Sequence, residues 1–67
     1  EVNAPITVIE YCLCINGIAM DIYNKPLYKF LDYNSAFQYG MYCKGMGYLV
    51  SIFKINNGFI DPFCTNL

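Results

Sequence analysis

The chain has no histidine, no arginine and no tryptophan, and only 13% of its 67 residues are charged. Without histidine the commonest general base and metal ligand is missing. The only basic residues, Lys25, Lys29, Lys44 and Lys54, are scattered. A nucleic-acid footprint needs a clustered basic face, so that class is excluded, and the same scarcity argues against pore formation or attachment to anionic lipid. No apolar run approaches the roughly 18 residues of a membrane span. Asn34-Ser35-Ala36 lacks the third residue of a glycosylation sequon. The opening Glu1-Val2-Asn3-Ala4-Pro5 shows no signal-peptide pattern and reads as a mature end left after cleavage.

Apolar and aromatic residues are abundant: seven Tyr and five Phe beside a net charge of −1. Disorder is therefore excluded. One domain, residues 1–67, is the expected count. A chain this short buries roughly 60% of its unfolded surface and is marginal without reinforcement. Four cysteines, Cys12, Cys14, Cys43 and Cys64, offer that reinforcement. An even count in a small chain points to disulfides and a secreted, oxidising setting.

Short β-rich runs are cut by turn residues. Residues 6–16 are rich in Ile, Val, Thr and Tyr and end at Asn16-Gly17, a strong hairpin signal. Residues 18–23 form a second run, followed by Asn24-Lys25-Pro26, where proline breaks the ladder. Residues 27–31, 36–43, 48–55 and 59–64 supply four more. Lys44-Gly45-Met46-Gly47 reads as a flexible turn, and Asn56-Asn57-Gly58 as a second type I′ turn. Pro62 marks the last run as an edge or terminal strand. Six strands at about ten-residue spacing predict an all-β fold, a small six-stranded antiparallel β-sandwich stapled by two disulfides. The helical alternative is strongest over residues 34–42, where Ser35 could act as a cap.

Alternation sorts the side chains into faces. In the first run Ile6, Val8, Glu10, Cys12 and Cys14 share one face, and Thr7, Ile9, Tyr11, Leu13 and Ile15 the other. Both are apolar, so this strand is central or covers a partner. Ile18, Met20 and Ile22 form the expected core set of the second run, and Phe37, Tyr39, Met41 and Cys43 share a face in the fourth.

Cys12 and Cys14, about 6.6 Å or more apart along one face of an extended strand, cannot bond each other. Each must reach Cys43 or Cys64, as 12–43 with 14–64, which is preferred, or as 12–64 with 14–43. Closing a loop of about 30 residues would contribute roughly 3–4 kcal/mol in the chain-entropy model. A zinc site would carry C-x2-C pairs rather than C-x-C on a strand, and a C-x-x-C redox motif is absent.

Ser35 and Ser51 have no evident base. Glu10 and Asp21 would face each other in a hairpin about Asn16-Gly17, and a carboxylate pair can cleave glycosides. So small a sandwich leaves no room for a substrate cleft, and solvated surface charge is the simpler reading. Gly45-Met46-Gly47 lacks the Lys-Ser/Thr of a phosphate loop. No catalytic residue, metal ligand or cofactor is expected.

Two stretches resemble known families. Ala36-Phe37-Gln38-Tyr39 and Cys43-Lys44-Gly45-Met46-Gly47-Tyr48-Leu49-Val50-Ser51-Ile52 look like the first helices and strand of C-type lectin domains, over about a third of the chain. There is no Trp, and the calcium-ligating second half of that domain would not fit. Tyr11-Cys12-Leu13-Cys14-Ile15-Asn16-Gly17 resembles the first strand and turn of the MAX effectors, the Magnaporthe avirulence and ToxB-like secreted fungal proteins. Val50-Ser51-Ile52-Phe53-Lys54-Ile55-Asn56-Asn57-Gly58 looks like that family's fifth strand and following turn. The segment between Cys43 and Asn57 is longer than in that family.

This second resemblance implies a six-stranded sandwich bridged from Cys12 to Cys43, with Cys14 and Cys64 suited to a second bridge. It implies a monomeric, non-enzymatic virulence effector, secreted by a plant-pathogenic fungus and able to pass into host cytoplasm. Its partner would be a host plant protein, such as a small metal-binding-like domain or an immune receptor. Strand addition at an edge is a general recognition mode. The expected contact residues are Asp21, Tyr23, Lys25, Tyr28, Lys29 and Phe30. The rival readings are a small secreted toxin or inhibitor-like peptide and a lectin-like remnant.

Overall fold

In the computed structural model, which describes residues 7–67 apart from the Phe63 side chain, the chain forms one antiparallel sheet with a helix on one face. The elements are β1 (Ile9–Ile15), β2 (Lys29–Phe30), α1 (Tyr33–Gly45), β3 (Val50–Asn56) and β4 (Phe59–Asn66). The strand order is β2-β1-β3-β4. The expected six-stranded sandwich is thus corrected to a four-stranded sheet and one helix. The mature-end reading of residues 1–5, and the start of the first run at Ile6, lie outside the described residues.

The two Asn-Gly turns form as the sequence predicts. Asn16 and Gly17 take φ of 52° and 80°, and Asn57 and Gly58 take 50° and 86°. Consecutive positive φ values make the type I′ turn that matches strand twist. The second turn joins β3 to β4. The first is followed by only one bridge, Ile15 to Ile18, before the chain leaves the sheet. Asn16 also ties a neighbour: its side-chain oxygen accepts from the Leu49 N–H at 3.0 Å.

Three of the expected runs change character. Residues 18–23 do not form a strand, because Asp21 draws the following amides into a loop. Of residues 27–31 only Lys29–Phe30 is a strand beside β1, with the Tyr28 carbonyl accepting one more bond from the Leu13 N–H at 3.3 Å. Residues 36–43 lie inside α1. Asp32 is the N-cap; its side chain accepts from the Ser35 N–H at 2.9 Å and the Ser35 hydroxyl at 2.8 Å. Ser35 therefore supports the cap and is not the cap itself. At the other end the Tyr48 N–H reaches the Cys43 carbonyl at 3.3 Å and the Gly47 N–H reaches that of Lys44 at 2.9 Å. With Gly47 at φ 94° this is a Schellman ending, so the turn expected to be flexible is a helix stop.

The helix lies on the sheet through small residues. Ala36, Gly40 and Cys43, at i, i+4 and i+7, are its buried positions. They pack with Leu13, Val50 and Ile52, flanked by Tyr11, Ile15, Tyr28, Phe30 and Leu67. A Cβ added at Gly40 would lie 3.3 Å from Val50 Cγ1 and 2.5 Å from Leu67 Cδ1. The close approach of helix to sheet thus depends on glycine there.

β1 is central, as its two apolar faces predict. Tyr11, Leu13 and Ile15 meet the helix, while Cys12 and Cys14 point away. β4 is an edge strand, as Pro62 predicts. Its register against β3 shifts between the Phe53–Cys64 and Ile55–Ile60 pairs, leaving extra residues around Pro62. A proline cannot donate to a ladder, and a bulge on an edge strand is where it is tolerated.

The disulfide expectation is also corrected: all four cysteines are free thiols, with no pair at bonding distance. Cross-strand pairing puts Cys12 opposite Phe53 and Phe53 opposite Cys64, on the face away from the helix. Cys43 sits on the helix, within the buried cluster that includes Leu13, Val50 and Ile52. The sheet separates Cys43 from Cys12 and Cys14. Two strand spacings of about 4.8 Å separate Cys12 from Cys64, so neither proposed connectivity can form.

Candidate functional site

Residues 19–27 form a loop whose shape is set by one carboxylate. Asp21 Oδ1 accepts from the backbone N–H of Tyr23 at 2.9 Å and of Lys25 at 2.9 Å. The Asp21 N–H donates to the Lys25 carbonyl at 2.8 Å, and the Asn24 N–H returns to the Asp21 carbonyl at 3.0 Å. Asn24 takes φ 64°, a left-handed conformation asparagine tolerates. Below the tip, Met20 bridges Pro26 and the Leu27 N–H donates to the Ala19 carbonyl at 2.9 Å. The loop is therefore a small closed structure hydrogen-bonded at both levels.

Its tip presents apolar side chains to solvent. Ile22 is 90% exposed and Tyr23 74%. Ile18 and Leu27 at the base are exposed as well. The expected core set Ile18, Met20 and Ile22 is thereby corrected. Only Met20 is half-buried, because the loop has no strand alternation to turn these residues inward.

The six expected contact residues divide into three groups. Tyr23 and Lys25 face solvent on the loop, and Asp21 shapes it. Tyr28 and Phe30 turn toward the helix, with ring centroids 5.5 and 5.8 Å from that of Tyr39. They are half-buried packing residues. Lys29 points to the other face of the sheet and pairs with Glu10 at 3.2 Å. Glu10 and Asp21 are engaged in separate interactions and do not form a carboxylate pair. The expected strand edge is reduced to a two-residue strand, and sequence reasoning missed Ile22, the most exposed large hydrophobic side chain among the described residues. The signal was Asp21 followed by Asn24-Lys25-Pro26, an Asx turn leading to a proline.

The remaining titratable groups have structural surroundings. Burial pushes the Cys12 thiol above its ordinary pKa; nearby Glu10 adds to the rise and Lys29 opposes it. Hydrogen bonds from the Ser35 hydroxyl and N–H hold the Asp32 carboxyl below the usual aspartate value. Partial burial, then Cys43, Tyr28 and Tyr42, raise the Tyr39 hydroxyl. Among the described residues, no three His, Cys, Asp or Glu side chains gather in a way that could hold a metal ion. Among the described residues no helix is long and apolar enough to cross a membrane.

No protein-family model matches the chain, and neither a curated protein nor a solved structure matches it with significance.

Proposed function

We propose that the protein is a non-enzymatic binder that engages a partner protein through the loop of residues 19–27. The observation that carries this is the pairing of a hydrogen-bonded shape with exposure: Ile22 is 90% and Tyr23 74% exposed on a tip closed by Asp21. Exposed apolar groups in contiguous patches mark interaction surfaces. A pre-shaped loop loses less conformational entropy on binding than a mobile one. Tyrosine is enriched among side chains that dominate interfaces.

The partner we propose is the host plant protein implied by the effector resemblance, with the protein acting as a secreted monomer. The sandwich and bridges that came with that resemblance form no part of the proposal. Support for the binding role comes from the loop, and the choice of host partner comes from the resemblance alone.

A pull-down from plant extract tests the reading. The wild type is set against the double variant Ile22→Ser, Tyr23→Ser. Both side chains are outside the core, so stability should move by no more than about 0.5 kcal/mol each. The variant should keep its thermal midpoint and lose the partners that the wild type retains. An unchanged set of partners overturns the proposal.

A further inference from the structure

At the far end of the helix-covered face, a second feature is independent of the loop. The alternation Val50, Ile52, Lys54 places a lysine in line with two buried core residues. Lys54 lies directly opposite Tyr11 across the β1–β3 pair. The helix begins at Tyr33, whose ring meets that of Tyr11 edge to face at 5.5 Å. Phe37, one turn on, stacks against Tyr33 at 6.2 Å and braces it. Between helix start and sheet lies a cleft of about 380 Å³, lined by Tyr11, Tyr33, Ile52, Lys54 and Thr65.

The chemistry of this lining is specific. The described residues offer one ammonium group, three hydroxyls and two aromatic rings over an aliphatic floor. Among the described residues Lys54 has no ion-pair partner; Glu10 pairs with Lys29 on the opposite face. Among the described residues no carboxylate lines the cleft. The acid next to Tyr33 in sequence, Asp32, is occupied by the Ser35 N–H and hydroxyl. A single cation among hydroxyl donors favours an anionic group, and adjacent rings favour a flat apolar body. Ligand sites commonly combine apolar walls with a few polar groups in about 300–1,000 Å³.

We infer that the cleft between Tyr11, Tyr33 and Lys54 binds a small aromatic acid, with its anionic group on Lys54 and the hydroxyls and its ring against the two tyrosines. This site is on a different part of the molecule from the loop tip and stands or falls separately from protein binding.

The test uses phenyl phosphate as the probe and phenol as its uncharged counterpart, each titrated into the 15N-labelled protein and followed by NMR. Phenyl phosphate should shift the signals of Tyr11, Tyr33, Lys54 and Thr65 together, with one saturating affinity. Lys54→Gln should weaken that binding about tenfold, as expected for losing a charged hydrogen bond. Tyr33→Phe should weaken it by a smaller factor, and raising the salt should weaken binding to the wild type more than to Lys54→Gln. Lys54 is exposed, so its variant should keep the wild-type thermal midpoint. Equal binding of phenol and phenyl phosphate, unchanged affinity in Lys54→Gln, or shifts spread away from these residues would each overturn the inference.

Discussion

The two faces of the sheet are closed by different means. On one, a capped helix lies down through Ala36, Gly40 and Cys43, and Leu13, Val50 and Ile52 are buried beneath it. On the other, no regular element among the described residues covers the strands. Cys12 and Ile55 are buried there, but Phe53 and Cys14 are half-buried and Cys64 and Ile60 are exposed. A small chain can thus build a core without covalent staples when its helix carries residues small enough to come close. The thiols that suggested staples are divided by the sheet, three on the open face and one under the helix.

Truncation of the covered face should have the largest effect. Leu13→Ala removes a fully buried side chain at the centre of the cluster. It should cost about 2–5 kcal/mol, read from urea unfolding. Much of a small domain's stability would go with it. A loss below about 1 kcal/mol would mean that the covered face is not the principal core.

Thiol labelling sharpens the same contrast. Denatured without reductant, the protein should show four reactive thiols. In the folded state Cys64 should react first and Cys14 more slowly. Cys12 and Cys43, both buried, should lag Cys64 by about a hundredfold or more, since they need an opening of the fold. The raised pKa of Cys12 slows it further, because the thiolate is the reactive form. Mass spectrometry after timed alkylation assigns the order, and equal rates at Cys12 and Cys64 would break the comparison.

The close approach of helix to sheet can be tested at one position. Gly40→Val should destabilise by about 1–3 kcal/mol through overpacking against Leu67 and Val50, although glycine is the poorer helix former. A stabilised variant would mean that the helix sits further from the sheet.

The smallest effect concerns the start of the helix. Asp32→Ala should lower the thermal midpoint at neutral pH by removing the cap. The Asp32 carboxyl has its pKa depressed in the folded state, so its contribution is present above the unfolded value and is lost as pH falls through the folded one. The gap between variant and wild type should therefore close as the pH is taken below about 4. A gap that persists in strong acid would assign the effect to something other than the carboxylate.

Parts of this architecture were legible in the sequence because they depend on near neighbours. The Asn16-Gly17 and Asn57-Gly58 turns, the central place of β1 with its Tyr11-Leu13-Ile15 face, and the edge position of β4 all follow from local geometry. The helix was obscured by tyrosine and phenylalanine, whose β preference reflects fitting a half-buried pleated surface. Two signals stood against that reading: residues 33–45 contain no Val, Ile or Thr, and Asp32-Tyr33-Asn34-Ser35 carries a cap. At the candidate site, Tyr23 and Lys25 were legible as surface groups. Ile22 was not, because alternation assigns it inward only if residues 18–23 extend, and Asp21 prevents that by taking the amides of Tyr23 and Lys25.

By itself the sequence determined the turns, the strand faces and the supply of apolar side chains, since each is set within a few residues by φ, by two-residue periodicity or by composition. Only the tertiary structure decided which side of the sheet each cysteine occupies, which aromatics pack and which stand in solvent. Those outcomes depend on where a helix of small inward residues settles against Leu13 and Val50, a contact between segments far apart in the chain.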